Sequence, residues 1–187
     1  MPAEASILSK YYDSSPAKRV SLILRHYSNF EDVVDGYSRK ISHRIAMEKE
    51  LKRQRSKGDL GVRVQTSGNS DPTGNAATSN VMIYEQVSSC DLQHGLLDDL
   101  DNEDVVLFAK ELVTLQVMRE EYELVESQVR ALDVQDKSLL LAVMNRDKSM
   151  QMMAEEKGIA YESVKQAVWR AKRRVKDNVV PYLREVI

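Results

Sequence analysis

The sequence predicts an all-α protein, with a helical, coiled-coil-like region in its N-terminal part and a smaller helical domain at its C-terminus. Three observations carry that expectation. Only 7 glycines and 4 prolines punctuate 187 residues, and aromatic residues make up 6%, which disfavours sandwiches and barrels with their frequent tight turns. Apolar residues, 42% of the chain, recur at three- and four-residue steps instead of alternating. Ser, Asn or Asp stands just ahead of most of these runs, where a side-chain oxygen satisfies the first free amides of a helix.

Residues 16–28 form the first expected helix. Ser15 is its cap, and Pro16 suits the first helical position because its missing N–H is not needed there. Val20, Ile23 and Leu24 make its apolar stripe. Asn29 then caps a longer helix. Phe30, Val33, Val34, Tyr37, Ile41, Ile45 and Leu51 recur along one side of it, with Asp32 near the positive end of the helix dipole. Residues 58–74 break the pattern, holding four of the seven glycines and Pro72. Residues 66–73 read as a loop, with Asp71 as the next N-cap and Pro72 as the first helical residue. The Lys-Ser/Thr ending of a phosphate-binding P-loop is missing, so the segment is read as a linker.

Past Pro72 a helix through Val81, Ile83, Tyr84 and Val87 is expected, followed by an interruption at 88–102 that contains Gly95 and four aspartates. Asn102 caps a second long helix reaching about Leu132. Its apolar line is Val105, Ala109, Leu112, Val113, Met118, Tyr122, Val125 and Val129. The expected organisation is a basic helical region at 1–57, a linker at 58–71, a helical region with the long acidic helix at 72–132, and a C-terminal domain at 133–187.

The net charge of −2 conceals strong segregation. Residues 37–63 carry nine Lys/Arg against three acids, net +6. Residues 85–126 carry twelve acids against Lys110 and Arg119, net −10. Residues 136–176 carry ten Lys/Arg against five acids, net +5. Dense basic blocks suit phosphate contact, because neutralising a phosphate releases condensed counterions. The long acidic and basic helices are expected to pair as antiparallel neighbours or to mediate homodimerisation.

The C-terminal third is the most specific part. Residues 136–145 place Leu139, Leu140, Val143 and Met144 on a helical pattern, and Arg146-Asp147-Lys148 is a short polar connection. Ser149 caps a helix at 150–157 with Met152, Met153 and Ala154 as core candidates. Gly158 supplies a positive φ, and Ile159 is expected to pack under the turn. A further helix from Tyr161 carries Val164, Ala167, Val168, Ala171 and Val175 inward. Helix, glycine turn, helix is the helix-turn-helix plan, whose second helix enters the DNA major groove. Its outward residues Tyr161, Glu162, Ser163, Lys165, Gln166, Trp169 and Arg170 suit base edges: Gln pairs with adenine, Lys with guanine, and Glu accepts from cytosine. Lys172, Arg173, Arg174 and Lys176 suit flanking phosphates. For Trp169, packing against Tyr182 and Leu183 is the favoured alternative to facing DNA.

Residues 154–166, continued by Arg170-Ala171, resemble region 4 of sigma-70-type factors. In that family the recognition helix carries an acidic residue, a hydrophobic one two positions later, then a basic residue and Gln. Glu162, Val164, Lys165 and Gln166 follow this pattern. The resemblance, over roughly residues 129–176, implies contacts from Glu162, Lys165 and Gln166 to a promoter's −35 element, a core role for Val164, and RNA polymerase as a partner. Ala160 stands where the family usually has a Ser/Thr cap, and Tyr161 where an arginine is frequent. Nothing upstream resembles the region that melts the −10 element, so a complete initiation factor is not expected. The basic N-terminal helix, the loop at 64–73 and this C-terminal unit together resemble the ArpU- and RinA-like late-gene regulators of phages and prophages.

Catalysis has little to stand on. His26, His43 and His94 are far apart, Cys90 has no neighbouring base, and Asp98, Asp99, Asp101 and Asp104 lack the spacing of a calcium loop. Met144, Met150, Met152 and Met153 read as adaptable core filler. One cysteine excludes an internal disulfide. No apolar run reaches the ~18 residues of a membrane span, and no signal-peptide core is evident. The expectation is therefore a cytoplasmic, non-enzymatic, cofactor-free transcription regulator that binds promoter DNA. A small-terminase-like packaging component is the first alternative, although its helix-turn-helix usually lies N-terminal to the oligomerisation core. A helical interaction module working through the acidic helix is the second.

Overall fold

The computed structural model describes residues 7–56, 72–91 and 95–183. Among them are eight α-helices, two 3-10 turns and no strand: α1 Ile7–Tyr12, α2 Pro16–Arg25, α3 Phe30–Ser56, α4 Pro72–Ser88, α5 Asn102–Arg130, α6 Val134–Met144, α7 Met150–Lys157 and α8 Tyr161–Val179. The 3-10 turns are Tyr27–Asn29 and Val180–Tyr182. The all-α class stands. Residues 57–71, which hold the whole expected linker and the Asp71 cap, lie outside the described residues, as does His94.

The chain forms two compact units, Met1–Val33 with Val117–Ile187, and Val34–Gln116. They do not follow the consecutive segments expected from sequence. The N-terminal helices α1 and α2 join the C-terminal helices, and the boundary cuts through α3 and α5.

In the first unit, α2 buries Val20, Ile23 and Leu24, the stripe its spacing predicts. Ser15 takes the extended conformation of an N-cap, but its hydroxyl makes no cap bond. Helix α1, which the sequence reading omits, buries Tyr11 completely. Arg19 is buried beside this stripe. Its Nε and Nη2 donate to the Glu121 carboxylate of α5 at 2.6–3.0 Å, and its Nη1 donates to the Ser14 carbonyl at 3.1 Å. The Tyr11 hydroxyl donates to the same carboxylate. Burial and the Glu121 charge both push the Tyr11 hydroxyl far up, so it stays protonated. Phe30 stacks on Tyr122 with ring centroids 5.2 Å apart.

Helix α6 starts at Val134, capped by Asp133, whose carboxylate accepts the Asp136 backbone N–H at 2.9 Å. It buries Leu139, Leu140 and Met144. Helix α8 buries Val164, Val168, Ala171, Val175 and Val179, four of them at three- and four-residue steps in the predicted line.

In the second unit, α3 buries Val34, Ile41 and Ile45 together with Ser38 and Ser42. These two serines donate to the carbonyls one turn back, at 3.1 and 2.6 Å, which removes the cost of burying a hydroxyl. Three expected core positions are exposed. Leu51 stands six residues after Ile45, a rotation of about 240° that takes it off the stripe. Val113 follows buried Leu112 by one residue, about 100° round the helix. Val81 stands two residues before buried Ile83, about 200° away. Phe108 and Leu115, both fully buried, continue the true α5 stripe.

The acidic and basic helices pair in this unit. Arg44 Nη1 meets Glu111 at 2.8 Å and Lys52 meets Asp101 at 3.0 Å. The partner number falls as the α3 number rises, so α3 and α5 run antiparallel here. The Arg44 guanidinium also lies 4.9 Å from the Phe108 ring centroid.

Candidate nucleic-acid interface

The site is built on α7, the turn after it, and α8. Ser149 starts α7 by accepting the Met152 backbone N–H at 3.2 Å, as its residue type predicts. Gly158 ends the helix at φ +61° and ψ 32°. Its N–H bonds to the Glu155 carbonyl, and the Ile159 N–H reaches back to the Ala154 carbonyl at 3.0 Å. Apart from Gly158 and its two chain neighbours, no described atom lies within 4 Å of where a Cβ on Gly158 would stand. The demand for glycine is therefore set by backbone conformation, not by space.

Met153 and Ala154 of α7 are buried, as are Val164 and Val168 of α8. Two of the expected core contacts differ. Met152 is half exposed, because it stands about 100° before Met153 on a short helix. Ile159 is 44% exposed and does not sit under the turn, which is closed by the two backbone bonds.

Helix α8 brings all ten candidate DNA-contacting residues onto one element, and all except half-buried Lys172 are exposed. At about 100° per residue they form three strips. Glu162, Gln166, Trp169 and Arg173 run along the middle, opposite the valine stripe. Ser163, Arg170 and Arg174 lie on one flank, and Lys165 and Lys172 on the other, with Tyr161 at its edge.

The charged members differ in their commitments. Lys165 pairs with Glu162 at 3.3 Å on the helix surface. Arg174 reaches Asp133 at 3.4 Å and Asp136 at 3.8 Å, which ties α8 to the start of α6. Asp133 is held below the usual carboxylate range, first by its bond from the Asp136 amide and further by Arg174. Arg173 pairs with Asp177 at 3.5 Å. Arg170 and Lys172 have no carboxylate partner among the described residues.

Trp169 does not pack against the C-terminal residues. It is 58% exposed, and Tyr182 is 77% exposed. Thirteen residues of helical rise separate the two by roughly 20 Å, too far for contact. The indole instead lies beside the Arg173 guanidinium, 5.3 Å from ring centroid to carbon.

Two cations that the sequence reading does not single out join this surface. Arg25 at the end of α2 and Arg146 after α6 line the same cleft as Trp169, Lys172, Arg173 and Lys176. No local signal marks either one, since the cleft exists only once α2, α6 and α8 are packed. No protein-family model matches the chain, and no curated protein or solved structure does either.

Proposed function

We propose that this chain is a sequence-specific transcription regulator that binds double-stranded promoter DNA. Helices α7 and α8 act as a helix-turn-helix, and α8 lies in the major groove. The observation that carries this reading is the outward face of α8: ten polar, aromatic and basic residues on one helix that leaves a left-handed glycine turn.

Glu162, Lys165 and Gln166, near the first turn, are assigned to base edges with Tyr161 and Ser163, and Trp169 and Arg170 extend that surface. Lys172, Arg173 and Arg174 are assigned to flanking phosphates, with Arg174 sharing its charge with α6. The resemblance to sigma region 4 adds RNA polymerase as a partner, and the resemblance to ArpU- and RinA-like regulators adds activation of phage or prophage late genes as the role. The acidic helix α5 is less suited to be the working surface. Glu111 is already paired and Glu121 is buried, and Asp101, just ahead of the helix, is held by Lys52.

A mobility-shift and footprinting series on promoter DNA from the chain's own operon tests the proposal. Lys165→Ala with Gln166→Ala should cost about 1–3 kcal/mol for each good base contact and relax sequence preference. Binding as tight and as selective as that of the unaltered protein would overturn the assignment of α8.

A further inference from the structure

Beside α8 lies a cleft of about 630 Å³, walled by the end of α2, the end of α6 and the flank of α8. Arg25, Arg146, Lys172, Arg173 and Lys176 line it, against the single carboxylate of Asp177. That carboxylate is engaged by Arg173, and the Lys176 ammonium donates to the Ser21 hydroxyl at 2.9 Å. Arg25, Arg146 and Lys172 have no carboxylate partner among the described residues. Converging cations of this kind repel one another unless an anion joins them.

Apart from Ser21, the rest of the lining is apolar or aromatic. Leu24, Val143 and Met144 contribute to it, and the half-exposed indole of Trp169 stands at its edge. Cations beside an apolar wall, at this volume, suit a small anionic ligand with an apolar part.

Arg146 adds a second, independent observation. It sits at φ +61°, a left-handed conformation that strains residues with a Cβ and leaves glycine free. Its N–H bonds to the Val143 carbonyl and the Asp147 N–H to the Ala142 carbonyl, the closure that glycine commonly makes at a helix end. The chain places an arginine there, and that arginine lines the cleft. Strain held at a cleft, on one of the five cations that line it, points to a use for that charge.

We propose that the cleft binds a nucleotide, with the phosphate held by Arg25, Arg146 and Lys172 and the flat base against Trp169 and the apolar wall. Guanidinium groups donate in parallel to phosphate oxygens, and an indole offers a face for a base. The nucleotide is either free or a unit of a DNA strand. The cleft shares Trp169, Lys172 and Arg173 with the outward face of α8, whereas Arg25 and Arg146 belong to the cleft alone, so variants at those two separate this proposal from the helix-turn-helix reading.

Trp169 is the only tryptophan, so its emission reports on this cleft and the adjoining face of α8. The full chain is titrated at low salt with ADP and, separately, with a promoter duplex, by fluorescence and by calorimetry. Arg25→Ala and Arg146→Gly are measured in parallel, with circular dichroism checking their fold. Saturable ADP binding that shifts Trp169 emission and weakens about tenfold in either variant supports a free nucleotide. A response to the duplex alone, weakened in the same variants, supports a strand nucleotide as the source. No binding of either probe, or equal affinity in both variants, overturns the proposal. A duplex mobility shift that survives in that last case leaves the helix-turn-helix reading standing. ADP binding without any duplex shift removes that reading and keeps this one.

Discussion

Arg146 and Gly158 end successive helices in the same backbone conformation, both at φ +61°. Each is followed by a residue whose N–H reaches five positions back, Asp147 to Ala142 and Ile159 to Ala154. One position holds the residue that the geometry favours and the other an arginine. Cys90 repeats the arrangement after α4 at φ 53°, with Asp91 bonding to Gln86.

This equivalence predicts opposite outcomes for two small substitutions. Arg146→Gly should raise stability by about 0.5–1 kcal/mol through relief of the left-handed penalty, while Gly158→Ala should lower it by about 1 kcal/mol. Urea unfolding checks both, with midpoints moving in opposite directions at constant slope. A fall in midpoint for Arg146→Gly would show that the arginine side chain stabilises the helix end.

Glu121→Gln should be among the more damaging single changes, costing about 3–5 kcal/mol, because Arg19 is left buried with its charge unopposed. The side chains of this pair are only 1% and 7% exposed. Replacing both together, Arg19→Met with Glu121→Leu, should lose much less than the two single losses combined. A double-mutant cycle by thermal or urea unfolding measures the difference.

Asp133 makes part of the stability dependent on pH. Its folded pKa lies below the ordinary aspartate value of about 3.9, so its contribution is fully present above that value. The contribution is lost as pH falls through the depressed folded value. Asp133→Asn keeps a capping oxygen but cannot titrate, so its acid-unfolding limb should be flatter below about pH 4. Parallel unfolding curves for the two proteins between about pH 5 and pH 2 would refute this.

Helix α8 begins without a side-chain cap. Ala160 is extended, and only its carbonyl meets the first turn, accepting from Ser163 and Val164. Ala160→Ser should add about 0.5–1 kcal/mol by satisfying an amide of that turn. Unfolding midpoints give the stability, and a parallel mobility shift shows whether the change also alters DNA affinity.

Local spacing was enough to read much of the architecture. The valine line of α8, the stripe of α2, the Ser149 cap and the Gly158 turn all depend on neighbours within about one helical turn, and the sequence states those neighbours directly. The errors at Leu51, Val81 and Val113 share one cause. Each is apolar and falls within its helix's apolar run, yet it stands about 100–240° round the helix from a buried residue, so the run alone does not put it on the buried side. For the candidate interface, the ten α8 residues were legible because a single helix presents them all.

What folding added lies between residues far apart in sequence. Arg19 meets Glu121 across 102 positions, a match that no periodicity announces, since a charged residue on an apolar stripe normally reads as a surface residue. Arg25 and Arg146 become neighbours of Lys172 only when α2 and α6 pack beside α8. Helix class is set by backbone preferences that act locally. Which buried charge finds a partner, and which cations share a cleft, is set by long-range packing.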